Sequence, residues 1–95
     1  MRLPLCFETS LSRTEFLRLL PAAVGGAAYV TDGSVFRCQQ LARAWQITLE
    51  PLPEMKLGLV RLDRQRLSFL FENYTDPEIA EFMRRFEMYF RRGGG

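Results

Sequence analysis

Histidine is absent from this 95-residue chain. That removes the commonest general base near neutral pH and the commonest metal ligand. Cysteine occurs twice, at Cys6 and Cys38, outside any CxxC spacing. Two such thiols do not supply a four-ligand zinc site. They read as small core hydrophobes in a reducing compartment, with a disulfide left open by spacing alone. Lysine occurs once, at Lys56, so twelve arginines carry nearly all the positive charge. Arginine suits bidentate anion contacts, but this bias also fits a GC-rich bacterial-type genome. Long apolar runs are missing too. The least polar stretch, residues 19–30, is broken by Pro21, Gly25 and Gly26 and is too short to cross a bilayer. Residues 3–6 leave no room before them for a secretory leader. No membrane association and a cytoplasmic location are therefore expected. No GxSxG, P-loop or GxGxxG run is present, and serine and threonine have no histidine partner. No cofactor is expected, and the chain reads as non-enzymatic.

What is present describes one small domain. The chain is 47% hydrophobic and 25% charged with net charge +2, which suits a globular protein and argues against a one-signed nucleic-acid surface. A single domain is expected over residues 1–92, followed by a flexible glycine tail at 93–95.

Leu3, Leu5 and Phe7 alternate with Pro4, Cys6 and Glu8, the period of a half-buried strand. Ser12-Arg13-Thr14-Glu15 matches a capping box, with Leu11 and Phe16 placed as a hydrophobic staple. The helix it opens is expected to end near Leu20, before Pro21, or to restart as a turn through Val24. Asp32-Gly33 between β-prone runs predicts a hairpin with a type I′ turn. Residues 39–44 read as a loop or one helical turn. Trp45, Ile47 and Leu49 form a one-sided strand that Pro51 and Pro53 are expected to end. Met55, Leu57 and Leu59 form a second run. Asp63-Arg64-Gln65 is a polar connection, and Leu67, Phe69 and Phe71 form a third run. The three predict an antiparallel meander.

The last helix has the clearest signature. It starts with Thr75 as cap and Glu78 closing a box, or with Asp76 as cap and Pro77 first. Ile79, Phe82, Met83, Phe86 and Phe90 fall within one arc of about 100°. Glu81 with Arg85 and Glu87 with Arg91 stand at i,i+4. The expected fold class is α+β: an antiparallel sheet of about five to six strands with two helices on one face, in the order β-α-ββ-βββ-α.

The terminal Gly93-Gly94-Gly95 resembles the Gly-Gly end of ubiquitin-like proteins and of the bacterial sulfur carriers of thiamine and molybdopterin synthesis. The resemblance covers only these residues. It implies a carrier whose thin tail, Gly94 and Gly95, enters an activating enzyme and is adenylated at its carboxylate. The element order departs from the β-grasp fold of those carriers, which opens with a hairpin before its first long helix. A glycine C-cap accounts for the same residues.

Two further groupings bear on function. Arg61, Arg64 and Arg66, with Arg84, Arg85, Arg91 and Arg92 on the last helix, are the candidate contacts for nucleic acid or a phosphorylated ligand. Glu81 and Glu87 interrupt them, which disfavours nucleic acid. Glu50, Glu54 and Glu72 read as solvated strand ends. If Met55, Leu57, Leu59, Leu67, Phe69 and Phe71 face the helices, then Val60, Leu62 and Leu70 face away among Thr48, Lys56 and Ser68. With Met88 on the polar arc of the last helix, they form the candidate interaction patch. The function expected by elimination is a protein-interaction or self-associating module, its partner an unknown protein or a second copy in a homodimer.

Overall fold

The computed structural model describes residues 5–94, and side chains for residues 5–90. Leu3, Pro4 and Gly95 lie outside the described residues. The chain is α+β, with β1 (Leu5–Thr9), α1 (Arg13–Ala23), β2 (Val30–Asp32), β3 (Val35–Gln40), β4 (Arg43–Leu57), β5 (Val60–Glu72) and α2 (Asp76–Gly94). The five strands form one sheet in the order β1-β5-β4-β3-β2, every neighbour antiparallel. The expected three-run meander is thus corrected to a single long hairpin, β4–β5, and the order becomes β-α-ββ-ββ-α.

Both helix starts are fixed by side chains. Ser12 Oγ accepts from the Glu15 amide at 3.2 Å. Only half of that capping box forms, because the Glu15 carboxylate turns to Arg18 instead, 2.6 Å away. At α2 the box is complete: the Thr75 amide donates to Glu78 Oε1 at 2.8 Å, and the Glu78 amide donates to Thr75 Oγ1 at 3.3 Å.

α1 does not end before Pro21; it carries the proline and closes at Ala23. Burial of Ala23 and Val24 rewards the extra turn, and the chain then leaves through Gly25 and Gly26, both at positive φ. α2 likewise runs to Gly94, two residues beyond the expected end.

The first hairpin forms one residue later than expected. Asp32 pairs with Val35, which leaves Gly33-Ser34 as the loop. Only Gly33 has positive φ, the pattern of a type II′ turn, which needs it at the first central position alone. Residues 39–44, left open between loop and helix, complete β3, a two-residue turn at Leu41-Ala42 and the start of β4.

The core lies on one face of the sheet. Phe36, Ile47 and Phe69 stand side by side across β3, β4 and β5, and all three are fully buried. Phe16 of α1 meets Phe36 at a centroid distance of 5.2 Å, and Phe86 of α2 meets Phe69 edge-on at 4.8 Å. Phe90 joins the helices by packing on both Phe16 and Phe86. Each fully buried side chain of this size contributes about 1.5–3 kcal/mol by leaving water.

Candidate functional site: the β4–β5 arm

β4 and β5 outrun the rest of the sheet. β3 pairs with β4 only as far as Thr48, and β1 pairs with β5 only from Gln65 to Phe69. Beyond those points the hairpin continues to its turn at Gly58-Leu59 with no neighbour on either edge among the described residues. This two-stranded arm projects by about 17 Å at the usual rise per strand residue, and the described residues extend 48 × 24 × 24 Å.

Pro51 and Pro53 lie inside β4 rather than at its end. The Leu49 amide points outward, donating to the Ser34 carbonyl at 2.8 Å. By alternation the Pro51 nitrogen also points outward, where no strand among the described residues is present to accept a bond. Proline therefore costs the ladder nothing here. The same fact explains why Asp63, Arg64 and Gln65 are strand rather than connection: each pairs with β4 or stands between residues that do.

A bulge sets the faces of the arm. Leu52 pairs with Arg64 and Met55 pairs with Leu62, so three steps along β4 match two along β5. The extra residue reverses the alternation in β4. Met55 and Leu57 were expected to face the helices. They stand on the opposite, outer face, directly across from Leu62 and Val60. Met55 is 41% exposed, Leu57 57% and Val60 56%, and Leu62 is half-buried. Leu59 sits in the turn and is fully exposed. Lys56, expected outside, pairs with Arg61 on the other face.

The outer face changes character where the arm meets the body. On the body it is charged and paired. Glu8, Arg66 and Glu50 form one row across β1, β5 and β4, with Arg66 at 3.7 Å from Glu8 and 3.5 Å from Glu50. Arg64 is also ion-paired to Glu8, and Arg37 reaches Glu72 at 3.4 Å. On the arm the same face carries Arg64 at its base and otherwise Leu52, Met55, Leu57, Val60 and Leu62. The ion pairs are exposed and individually weak, but they satisfy the body's outer face and leave the arm as its apolar part.

The candidate patch is therefore divided. Val60 and Leu62 belong to the arm. Leu70 pairs with Gln46 on the body, eight residues further along β5 from Leu62 and beyond Arg64, Arg66 and Ser68. Met88 lies exposed on α2. Met55 and Leu57 join the patch, which strict alternation does not predict; the Pro51-Leu52-Pro53 interruption is the sequence signal for the break in alternation.

The arginines are divided as well. Arg61 lies on the helix side of the arm, 3.5 Å from Glu54. Arg64 lies on the outer face at the base of the arm, and Arg66 on that of the body. Arg84 pairs with Glu81 at 2.5 Å, an i,i+3 contact, and the expected partner Arg85 acts on the Glu81 carboxyl only through its charge, adding to the lowering that Arg84 dominates. Arg85 lies over Gly25. Arg91 and Arg92 are in α2, their side chains outside those described. The carboxylates Glu50, Glu54 and Glu72 each have an arginine partner.

A cleft of about 310 Å³ opens between the helices and β4, lined by Arg43, Trp45, Tyr74, Glu78, Glu81 and Arg85 among others. Arg43 stacks 4.6 Å from the Tyr74 ring centre and pairs with Glu78 at 2.7 Å. The Thr75 amide is the main cause that holds the Glu78 carboxyl below its ordinary range, with Arg43 adding to it. Burial pushes the Tyr74 hydroxyl up. The charges in the cleft thus already answer one another.

Cys6 pairs with Ser68 on the outer face and Cys38 with Trp45 on the core face, and both thiols are free. Among the described residues, no three or more His, Cys, Asp and Glu side chains are grouped to hold a metal, and no helix is long and apolar enough to cross a membrane. Comparison with protein-family models, with curated proteins and with solved structures finds no match.

Proposed function

We propose that the chain is a non-enzymatic, cytoplasmic protein-interaction module and that the β4–β5 arm is its contact element. The observation that carries this is the apolar row Met55, Leu57, Val60 and Leu62 on one face of a hairpin with no sheet neighbour among the described residues. A two-stranded hairpin is marginal in water by itself. An apolar face on such an arm gains stability when something covers it. The pairing of Arg64, Arg66 and Arg84 with carboxylates supports a protein rather than a nucleic acid as partner.

The test is site-specific photo-crosslinking in the native host. A crosslinking residue at position 57 is expected to give a discrete protein adduct, and one at position 48, on the body's outer face, is not. Adducts at neither position, or equally at both, would overturn the assignment of the arm.

A further inference from the structure

We propose that the arm's partner is a second copy of this chain, added edge to edge along residues 60–64 of β5 as an antiparallel, two-fold-symmetric strand pair centred on Leu62. This rests on the reading of the arm as a contact element and names its occupant.

The two edges of the arm are not equivalent. The β4 edge carries Pro51 and Pro53, which cannot donate to an added strand. The β5 edge has no proline. Its free length is bounded on one side by β1, whose last pair is Thr9 with Gln65, and on the other by the turn at Leu59. Five residues remain open, Val60, Arg61, Leu62, Asp63 and Arg64.

That segment is complementary to itself. Laid antiparallel about Leu62, it sets Arg61 directly against Asp63 of the second copy, and Asp63 against its Arg61. Both lie on the same face by alternation, so two opposite-charge cross-strand pairs form. Asp63 is exposed and has no ion-pair partner among the described residues. Arg61 faces Lys56 within its own hairpin, a like-charge pair relieved only by Glu54 at 3.5 Å. On the outer face, Leu62 meets Leu62 at the dyad with Met55 behind each, which makes an unbroken apolar row across four strands.

The register is also selected against its neighbours. A two-fold axis perpendicular to the sheet keeps each face on its own side, so the pairing can shift only by two residues. One shift brings Arg61 against Arg61, and the other brings Asp63 against Asp63. The contact is small, at the low end of specific interfaces, so reversible association in the micromolar range or weaker is expected.

The experiment is sedimentation of the full chain from micromolar to millimolar concentration, with a charge-reversal cycle. The wild type is expected to dimerise. Arg61→Asp and Asp63→Arg should each weaken the dimer by about tenfold or more, since symmetry turns both attractive pairs repulsive. The double variant, which restores opposite charges in the same register, should recover affinity. Leu62→Cys on a Cys6→Ser background should oxidise to a covalent dimer through position 62. A dimer indifferent to both single reversals, or a double variant no better than either, overturns this register. A wild type that stays monomeric throughout overturns self-association. Photo-adducts of position 57 to a different protein would then leave the arm's role intact, whereas their absence would remove that as well.

Discussion

Met55 stands directly across from Leu62, yet only three residues earlier Leu52 stands across from Arg64. The unequal count places one extra residue in β4 at 53–54, and it determines that Met55 and Leu57 share a face with Leu62 and Val60. β5 has no such interruption, so its alternation fixes the faces along the whole hairpin.

Deleting Glu54 should therefore be tolerated. The deletion removes the bulge, leaves Met55 against Leu62 and removes only the exposed pair with Arg61. Cross-strand nuclear Overhauser contacts between residues 55 and 62 should survive. Their loss, with new contacts between 55 and a residue on the other face, would show that β4 sets the register instead.

Phe86 is fully buried, edge-on to Phe69 and stacked 4.2 Å from Phe90. Phe86→Ala should cost about 3–5 kcal/mol in urea unfolding, because the ring's neighbours come from both α2 and the sheet and cannot all close on the void. A loss below about 1 kcal/mol would mean that α2 does not cover the sheet.

The α2 capping box gives a pH dependence with a defined sign. The Thr75 amide and Arg43 lower the Glu78 carboxyl relative to its unfolded value. Its contribution is then fully present above the unfolded carboxyl range and is lost as pH falls through the folded one. Glu78→Gln should flatten part of the acid limb of stability while changing the limb above neutrality little. An unchanged acid limb would show that the box does not hold in solution.

How far the sequence could be read follows from the range of each signal. The caps Ser12 and Thr75 were legible because a cap is a contact over three residues, although only the box at Thr75 closes on both sides. The aromatic arc of α2 was legible because one helix repeats it. The fate of the prolines was not. Pro21 lies within α1 because Ala23 and Val24 are buried beyond it, and Pro51 lies within β4 because the pairing with β3 has already ended at Thr48. In both cases the deciding partner is distant in sequence. The face reversal at 53–54 and the division of Val60 and Leu62 from Leu70 have the same origin.

Substitution at Leu57 and Leu70 separates the arm from the body as the contact surface. Leu70 is 37% exposed on a face whose neighbours are ion-paired, and Leu57 is 57% exposed where they are apolar. Lysine at either position meets solvent, so both variants should remain folded, with stability changed by about 0.5 kcal/mol or less. Their effect on association should differ. Leu57→Lys places a charge beside Val60 in the arm's apolar row, and a charge on that row weakens whatever packs against it. Leu70→Lys adds a charge some eight residues away along β5 and should leave association unchanged. If Leu70→Lys weakens association and Leu57→Lys does not, the contact lies on the body and the arm has another role. If Leu70→Lys unfolds the chain, Leu70 belongs to the core and the face assignment of β5 is reversed.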